Sequence, residues 1–207
     1  MSSINTALSF DDSYAVLNLD MMSILINAVK DTREGQTMIT NCAKWNDAVH
    51  EKSPHPLTIF STLAFSAGKP EVQSTSPFGR LIAPYGEFAS GSADVRIHES
   101  FKVDKKDLVL EKTRWSATMG NSLEQILRAR NIKTVIISGL SLSGVVMATI
   151  YRLFDLDFDV YVIGDNVLEL PVDQTAAFSS VMLGMLLPKM GFKVISLDEA
   201  LQMLERS

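Results

Sequence analysis

The sequence predicts an α/β fold, a three-layer α/β/α sandwich around a mainly parallel six-strand sheet. Three observations carry this. Six short apolar runs, most of them rich in β-branched residues, end at turn or polar residues, the pattern of strands buried on both faces of a parallel sheet. Helical periodicity fills the gaps between them, and that alternation calls for right-handed crossovers that cover both faces of the sheet. The chain has 207 residues, enough for one domain with a substantial core. We find no internal repeat, low-complexity tract or linker, so residues 1–207 read as a single domain.

The first strand is Tyr14-Ala-Val-Leu-Asn-Leu19, ending in Asp20. A helix is expected from Thr32 to roughly Lys52, then a strand at Leu57-Thr-Ile-Phe60 ending in Ser61. Residues 62 to 101 are rich in Gly, Pro and Ser with faint periodicity; a segment of that length inside a compact domain reads as a lid or pocket wall. A weaker strand, Asp107-Leu-Val-Leu-Glu111, ends in Lys112. The next helix covers 122–131, with apolar Leu123, Ile126 and Leu127 on one face and Ser122 placed as N-cap. Thr134-Val-Ile-Ile-Ser138 is a strand ending in Gly139, followed by a helix from Val145 to Leu156. The strand Asp159-Val-Tyr-Val-Ile163 leads to a Met- and Leu-rich helix from Asp173 to about Leu187, which Pro188 ends. The last strand is Lys193-Val-Ile-Ser-Leu197, and a short helix runs from Asp198 to Arg206.

Bulk properties narrow the function. A net charge of −5 with no basic face excludes nucleic acid and anionic membrane as partners. The polar start, with Ser2, Ser3 and Asn5, does not read as a secretory signal. No apolar run approaches the ~20 residues of a membrane span. The single cysteine, Cys42, forms no internal disulfide and reads as a buried packing residue. These features predict a cytoplasmic protein. The Met-rich 181–190 segment reads as core or as a subunit interface, in keeping with a homo-oligomer, dimer or tetramer.

In open parallel sheets, ligands bind beyond the carboxyl ends of the strands. Three features stand there: Asp20, Lys112 and the turn from Gly139 to Val145. Taken singly, each has a bland reading. Asp20 caps the next segment as readily as it does chemistry, and Lys112 alone is a solvated lysine. Arg114 suits a structural ion pair as well as a substrate carboxylate. Trp115 suits core as well as pocket. Ser141 and Ser143 are candidate nucleophiles, but no histidine stands at a recognisable partner position. His50, His55 and His98 lack metal-ligand spacing, so no metal and no other cofactor is expected.

Together, Asp20, the stretch EKTRWSAT at 111–118 and the stretch TVIISGLSLSGVVMATIYRLFDLDFDVYVIGD at 134–165 resemble the isochorismatase-like family, or cysteine hydrolase superfamily. Lys112, Arg114, Ser116 and Ala117 match its Lys-x-Arg-x-Ser-Ala motif, and Gly139, Val146, Ala148 and Thr149 match its nucleophile turn. The resemblance implies strand order 3-2-1-4-5-6, a cis peptide at Leu140–Ser141, and an Asp20, Lys112 and Cys catalytic set. It places the cysteine at Val145, a side chain that cannot attack, and the turn's Thr at Leu142. It implies a pocket lined by Arg114, Trp115, Leu140, Ser141 and Gly144. The family's metal-binding Asp-x-His pair is missing from STLAFSAGKP at 61–70.

With no thiolate, the covalent route to amide hydrolysis is closed. The expected activity is hydrolysis of an enol ether or related small carboxylated metabolite, with Asp20 as general acid tuned by Lys112. Two alternatives stand beside it: an inactive family member that binds a metabolite or a protein partner, and a lyase or isomerase using the Asp/Lys pair.

Overall fold

The sheet has six parallel strands in the order β3-β2-β1-β4-β5-β6. They are β1 Tyr14–Leu19, β2 Leu57–Leu63, β3 Leu108–Lys112, β4 Thr134–Leu140, β5 Asp159–Leu168 and β6 Lys193–Ile195. This is a computed structural model, and it describes residues 9–10 and 13–207; Ser2, Ser3 and Asn5 lie outside them.

Alternation along the central strands builds the three layers. Ala15, Leu17, Val135 and Ile137 face one side and pack with Leu123, Leu127, Ile150 and Leu153. Those come from α4 Leu123–Ala129 and α5 Met147–Phe154. Val16 and Ile136 face the other side, against Trp45, Val49, Ala200 and Met203. Those come from α2 Arg33–Glu51 and α8 Leu197–Arg206. Thr32 caps α2 by accepting from the Gly35 N–H, and Ser196 with Glu199 forms a capping box on α8.

Several elements differ from expectation. Helix α1, Ser23–Val29, is a short segment that periodicity alone does not reveal. Ser122 stands at the N-cap of α4 but makes no capping bond; Asn121 Oδ1 accepts the Leu123 N–H instead, at 3.0 Å. Strand β5 runs five residues past Ile163 because its register against β4 jumps between Ile137 and Gly139. That jump inserts extra β5 residues as a bulge carries them, and polar Asp165 and Asn166 hide the continuation in the sequence. The Met-rich helix is broken into α6 Thr175–Val181, a π turn at Met182–Leu186 and α7 Leu187–Lys189. Pro188 sits inside this last turn, where its missing N–H costs nothing.

The 62–101 segment is anchored at a few buried points, while most of its residues are exposed. It carries α3 Pro77–Ile82, and its Leu63, Phe65, Ile82, Phe88 and Phe101 join Met21, Met22 and Ile26 in a cluster above the carboxyl ends of the strands. That cluster walls the functional site.

Candidate active site

Strand β1 delivers Asp20 one residue past its end. There the backbone turns into the left-handed region, φ 54°, a conformation Asp tolerates better than most residues. The Asp20 N–H donates to the Ser61 carbonyl on β2 at 3.0 Å, which fixes the turn. Strand β3 delivers Lys112, its last residue, whose side chain is fully buried. Its Nζ lies 2.8 Å from Asp20 Oδ2 and donates to the Arg114 carbonyl at 2.8 Å. Ser61, on the strand between the two, donates its hydroxyl to Asp20 Oδ1 at 3.0 Å. Burial raises the pKa of the Asp20 carboxyl above its ordinary value, against the opposing pull of the Lys112 charge and the Lys112 and Ser61 hydrogen bonds.

Strand β4 brings the turn. At Gly139 a Cβ would stand 2.7 Å from Leu19 Cβ and 2.8 Å from the Leu19 carbonyl, so glycine lets β1 and β4 close up beside Asp20. The Leu140–Ser141 peptide is cis. A π turn, Leu142–Val146, then leads into α5; such bulges concentrate at functional sites. At Gly144 a Cβ would lie 2.6 Å from Ser141 Oγ and 3.5 Å from the Trp115 ring, so the ring lies against bare backbone.

These groups line one pocket of about 180 Å³, with Asp20, Lys112, Leu140, Ser141, Ser143 and Val145 around its floor. Its walls are apolar: Met22, Leu25 and Leu63, then Leu81, Ile82, Tyr85 and Phe88 from the long segment, with Trp115 and Leu170. Trp115 remains 42% exposed, which puts it at the rim. The remaining lining group is Glu169, one residue past β5 and buried. Its Oε2 accepts the Ser143 N–H at 2.6 Å and its Oε1 the Leu170 N–H at 2.9 Å.

Residues 14–199 match the isochorismatase domain family model. The chain belongs to the isochorismatase family. An isochorismatase-family protein of Burkholderia thailandensis has the same fold, with a TM-score of 0.76 at 17% identity over 97% of this chain and 100% of that one. Over 82 residues the chain is 32% identical to the uncharacterized isochorismatase family protein YrdC of Bacillus subtilis (strain 168), covering 40% of this chain and 44% of that protein. Over 86 residues it is 30% identical to the ureidoacrylate amidohydrolase RutB of Variovorax paradoxus (strain S110), covering 41% and 34% respectively. It therefore aligns with less than half the length of either curated relative.

In this isochorismatase-family chain, Asp20, Lys112, Trp115, Leu140, Ser141 and Val145 meet at one pocket, with Gly144 under the Trp115 ring. Arg114 does not line it. Its guanidinium donates to the Thr113 and Glu71 carbonyls, each at 2.6 Å, and lies over the Phe78 ring, so it pins the long segment. Cys42 is buried in α2 beside the Asn166 carbonyl, and burial pushes its thiol pKa up. Sequence reasoning passed over Ser61 and Glu169. For Ser61 the available signal was the same as for Asp20, a polar residue directly after an apolar run; Glu169 had none, because polar Asp165 and Asn166 mask the end of β5.

Proposed function

We propose that this chain is a hydrolase that adds water to a small enol ether without a covalent intermediate, Asp20 acting as general acid. The observation that carries this reading is the buried Asp20–Lys112 pair at the floor of a pocket where Val145 stands at the turn. On the family resemblance, Val145 takes the nucleophile's place, and a valine forms no acyl-enzyme. Asp20, with its raised pKa, delivers a proton to the vinyl carbon. The C–O carbon then carries positive charge and is trapped by water, and the hemiketal collapses to carbonyl and alcohol. Lys112 and Ser61 hold the carboxylate left behind, and the proton lost by the attacking water restores the acid.

The lining charges support the same direction. Lys112 is the only cation among the described lining residues, and it is already bonded to Asp20 and the Arg114 carbonyl. Glu169, an acceptor for two N–H groups, adds a second carboxyl group. A pocket so lined stabilises developing positive charge better than an oxyanion. It also favours a neutral substrate over the carboxylated one expected from sequence, because Arg114 is turned away. The apolar walls suit a small apolar or aromatic group.

The test is a screen of neutral and carboxylated enol ethers and amides with wild type and Asp20→Asn. The expected outcome is turnover of a neutral enol ether, lowered about 10²–10⁴-fold by Asp20→Asn with ligand affinity largely kept. Val145→Cys should not raise it. Full activity in Asp20→Asn rules out the acid role. Tight binding without turnover would support the second reading, a silent member that binds a metabolite; Val145 is the observation that favours it. We read the setting as cytoplasmic and the exposed apolar Tyr151, Phe154, Val181 and Met185 as the surface where a second copy packs.

A further inference from the structure

At the amino ends of β2 and β3, the opposite end of the sheet from the pocket, three side chains from distant parts of the sequence meet. His50 comes from the last turn of α2, His55 precedes β2, and Asp107 directly precedes β3. Asp107 Oδ2 lies 2.9 Å from His50 Nε2, and Oδ1 lies 3.7 Å from His55 Nε2. The two imidazoles stack at 5.6 Å with only 12° between their planes. The Asp107 side chain is fully buried, and those of His50 and His55 are only 13% and 9% exposed.

The protonation pattern at His55 leaves a gap. Its Nδ1 lies 2.8 Å from the Pro56 carbonyl, an acceptor only, so Nδ1 carries the hydrogen. In the neutral ring, Nε2 then presents a lone pair to Asp107 Oδ1, and neither buried atom has a hydrogen-bond partner. Two acceptors facing each other out of water need a positive species between them. We infer that His50, His55 and Asp107 form a binding site for a divalent transition-metal ion of the zinc class.

The geometry suits that ion. The three ligand atoms lie within 4.8 Å of one another, so small side-chain rotations bring them to three corners of a tetrahedron around an ion with bonds of about 2.0–2.1 Å. Two imidazoles and one carboxylate select zinc, nickel or copper over calcium or magnesium, which take oxygen ligands. The Pro56 carbonyl orients the His55 ring as outer-shell acceptors orient metal-bound histidines, and the Asp104 N–H braces Asp107 Oδ2 at 2.8 Å. The carboxyl end of the 19-residue α2 adds negative potential. His55 also lines a surface cleft of about 450 Å³, which gives an ion and a fourth, water ligand a way in. The spacing of His50 and His55 hides this site, because its third ligand arrives through the fold.

The competing role is a hydrogen-bonded strut in which a proton on His55 fills the gap. Full-length protein, stripped with a chelator, is titrated with Zn²⁺ in a calorimeter and loaded separately with Co²⁺. One equivalent of Zn²⁺ should bind, Co²⁺ should give visible ligand-field bands, and Zn²⁺ should erase them. His55→Ala and Asp107→Asn should each weaken Zn²⁺ binding by more than about 100-fold, beyond the roughly 10–100-fold that outer-shell changes cost. His98→Ala, outside the cluster, should change nothing. If a variant does not fold, His50→Gln and the wild-type Co²⁺ spectrum still decide. Absence of both Zn²⁺ heat and the Co²⁺ bands in wild type, or undiminished affinity in His55→Ala, overturns the metal site and leaves the strut. Neither readout depends on turnover at the Asp20 pocket.

Discussion

Lys112 holds an exacting position. Its ammonium is wholly buried and is matched by one carboxylate and one carbonyl. Removing one partner of such a pair leaves an uncompensated charge, so Lys112→Met should cost about 3–5 kcal/mol. Urea unfolding at neutral pH would measure this, and the penalty should shrink in acid, where Asp20 is protonated; a loss within error of zero refutes the pairing argument. On the proposed mechanism, Asp20 also sets the pH response. A general acid works in its protonated form, so kcat/KM should fall as pH rises through the Asp20 pKa. Burial raises that pKa, so the falling limb should lie above the range of an ordinary carboxyl group. In a Lys112→Met variant that still folds, the Lys112 contributions that lower the pKa are gone, and the limb should move to higher pH still. A limb that rises with pH would instead identify a carboxylate base.

Two elements hold these residues in place. Strands β1 and β4 approach closely where Gly139 faces Leu19. Gly139→Ala puts a methyl group against a carbonyl that cannot move away without shifting the strand bearing Asp20. We expect about 1–3 kcal/mol of destabilisation together with lost turnover, visible as a lower Tm and a fall in kcat; wild-type values for both would show that the strands can part freely. The long segment between β2 and β3 is tied to the site's second motif by Arg114, through the Glu71 carbonyl and the Phe78 ring. Hydrogen bonds to a charged group contribute about 1.5–3 kcal/mol each. Arg114→Ala should therefore speed amide exchange in residues 66–90 and raise KM more than it lowers kcat. Unchanged exchange there would return Arg114 to a role in binding substrate.

At the scale of the whole molecule, α5, α6 and the π turn after it leave Tyr151, Phe154, Val181 and Met185 about half exposed or more. Large apolar side chains grouped on few elements mark association surfaces. Sedimentation should show a dimer or tetramer, and Met185→Glu should shift it toward monomer by placing a charge in the contact. A monomeric wild type at high protein concentration would contradict that surface.

Strand runs, helix order and the residues at strand ends were legible in the sequence, because parallel strands buried on both faces must be continuously apolar and their ends must be polar. That sufficed to place Asp20, Lys112 and the turn from Gly139 to Val145 at strand ends; the family resemblance then singled out Val145 as the nucleophile position. What stayed hidden depends on contacts between residues distant in sequence. Arg114 sits in a recognisable motif, yet its direction follows from where Glu71 and Phe78 fold back. Ser61 acquires a role only because β2 lies between β1 and β3. Glu169 enters the pocket because β5 changes register against β4, which no local pattern announces. His50 and His55 meet Asp107 only after β2 and β3 pair. Local composition and periodicity determined which segments became strands and helices; strand pairing and backbone register decided which side chains share a site, since those are set by the packing of the whole sheet.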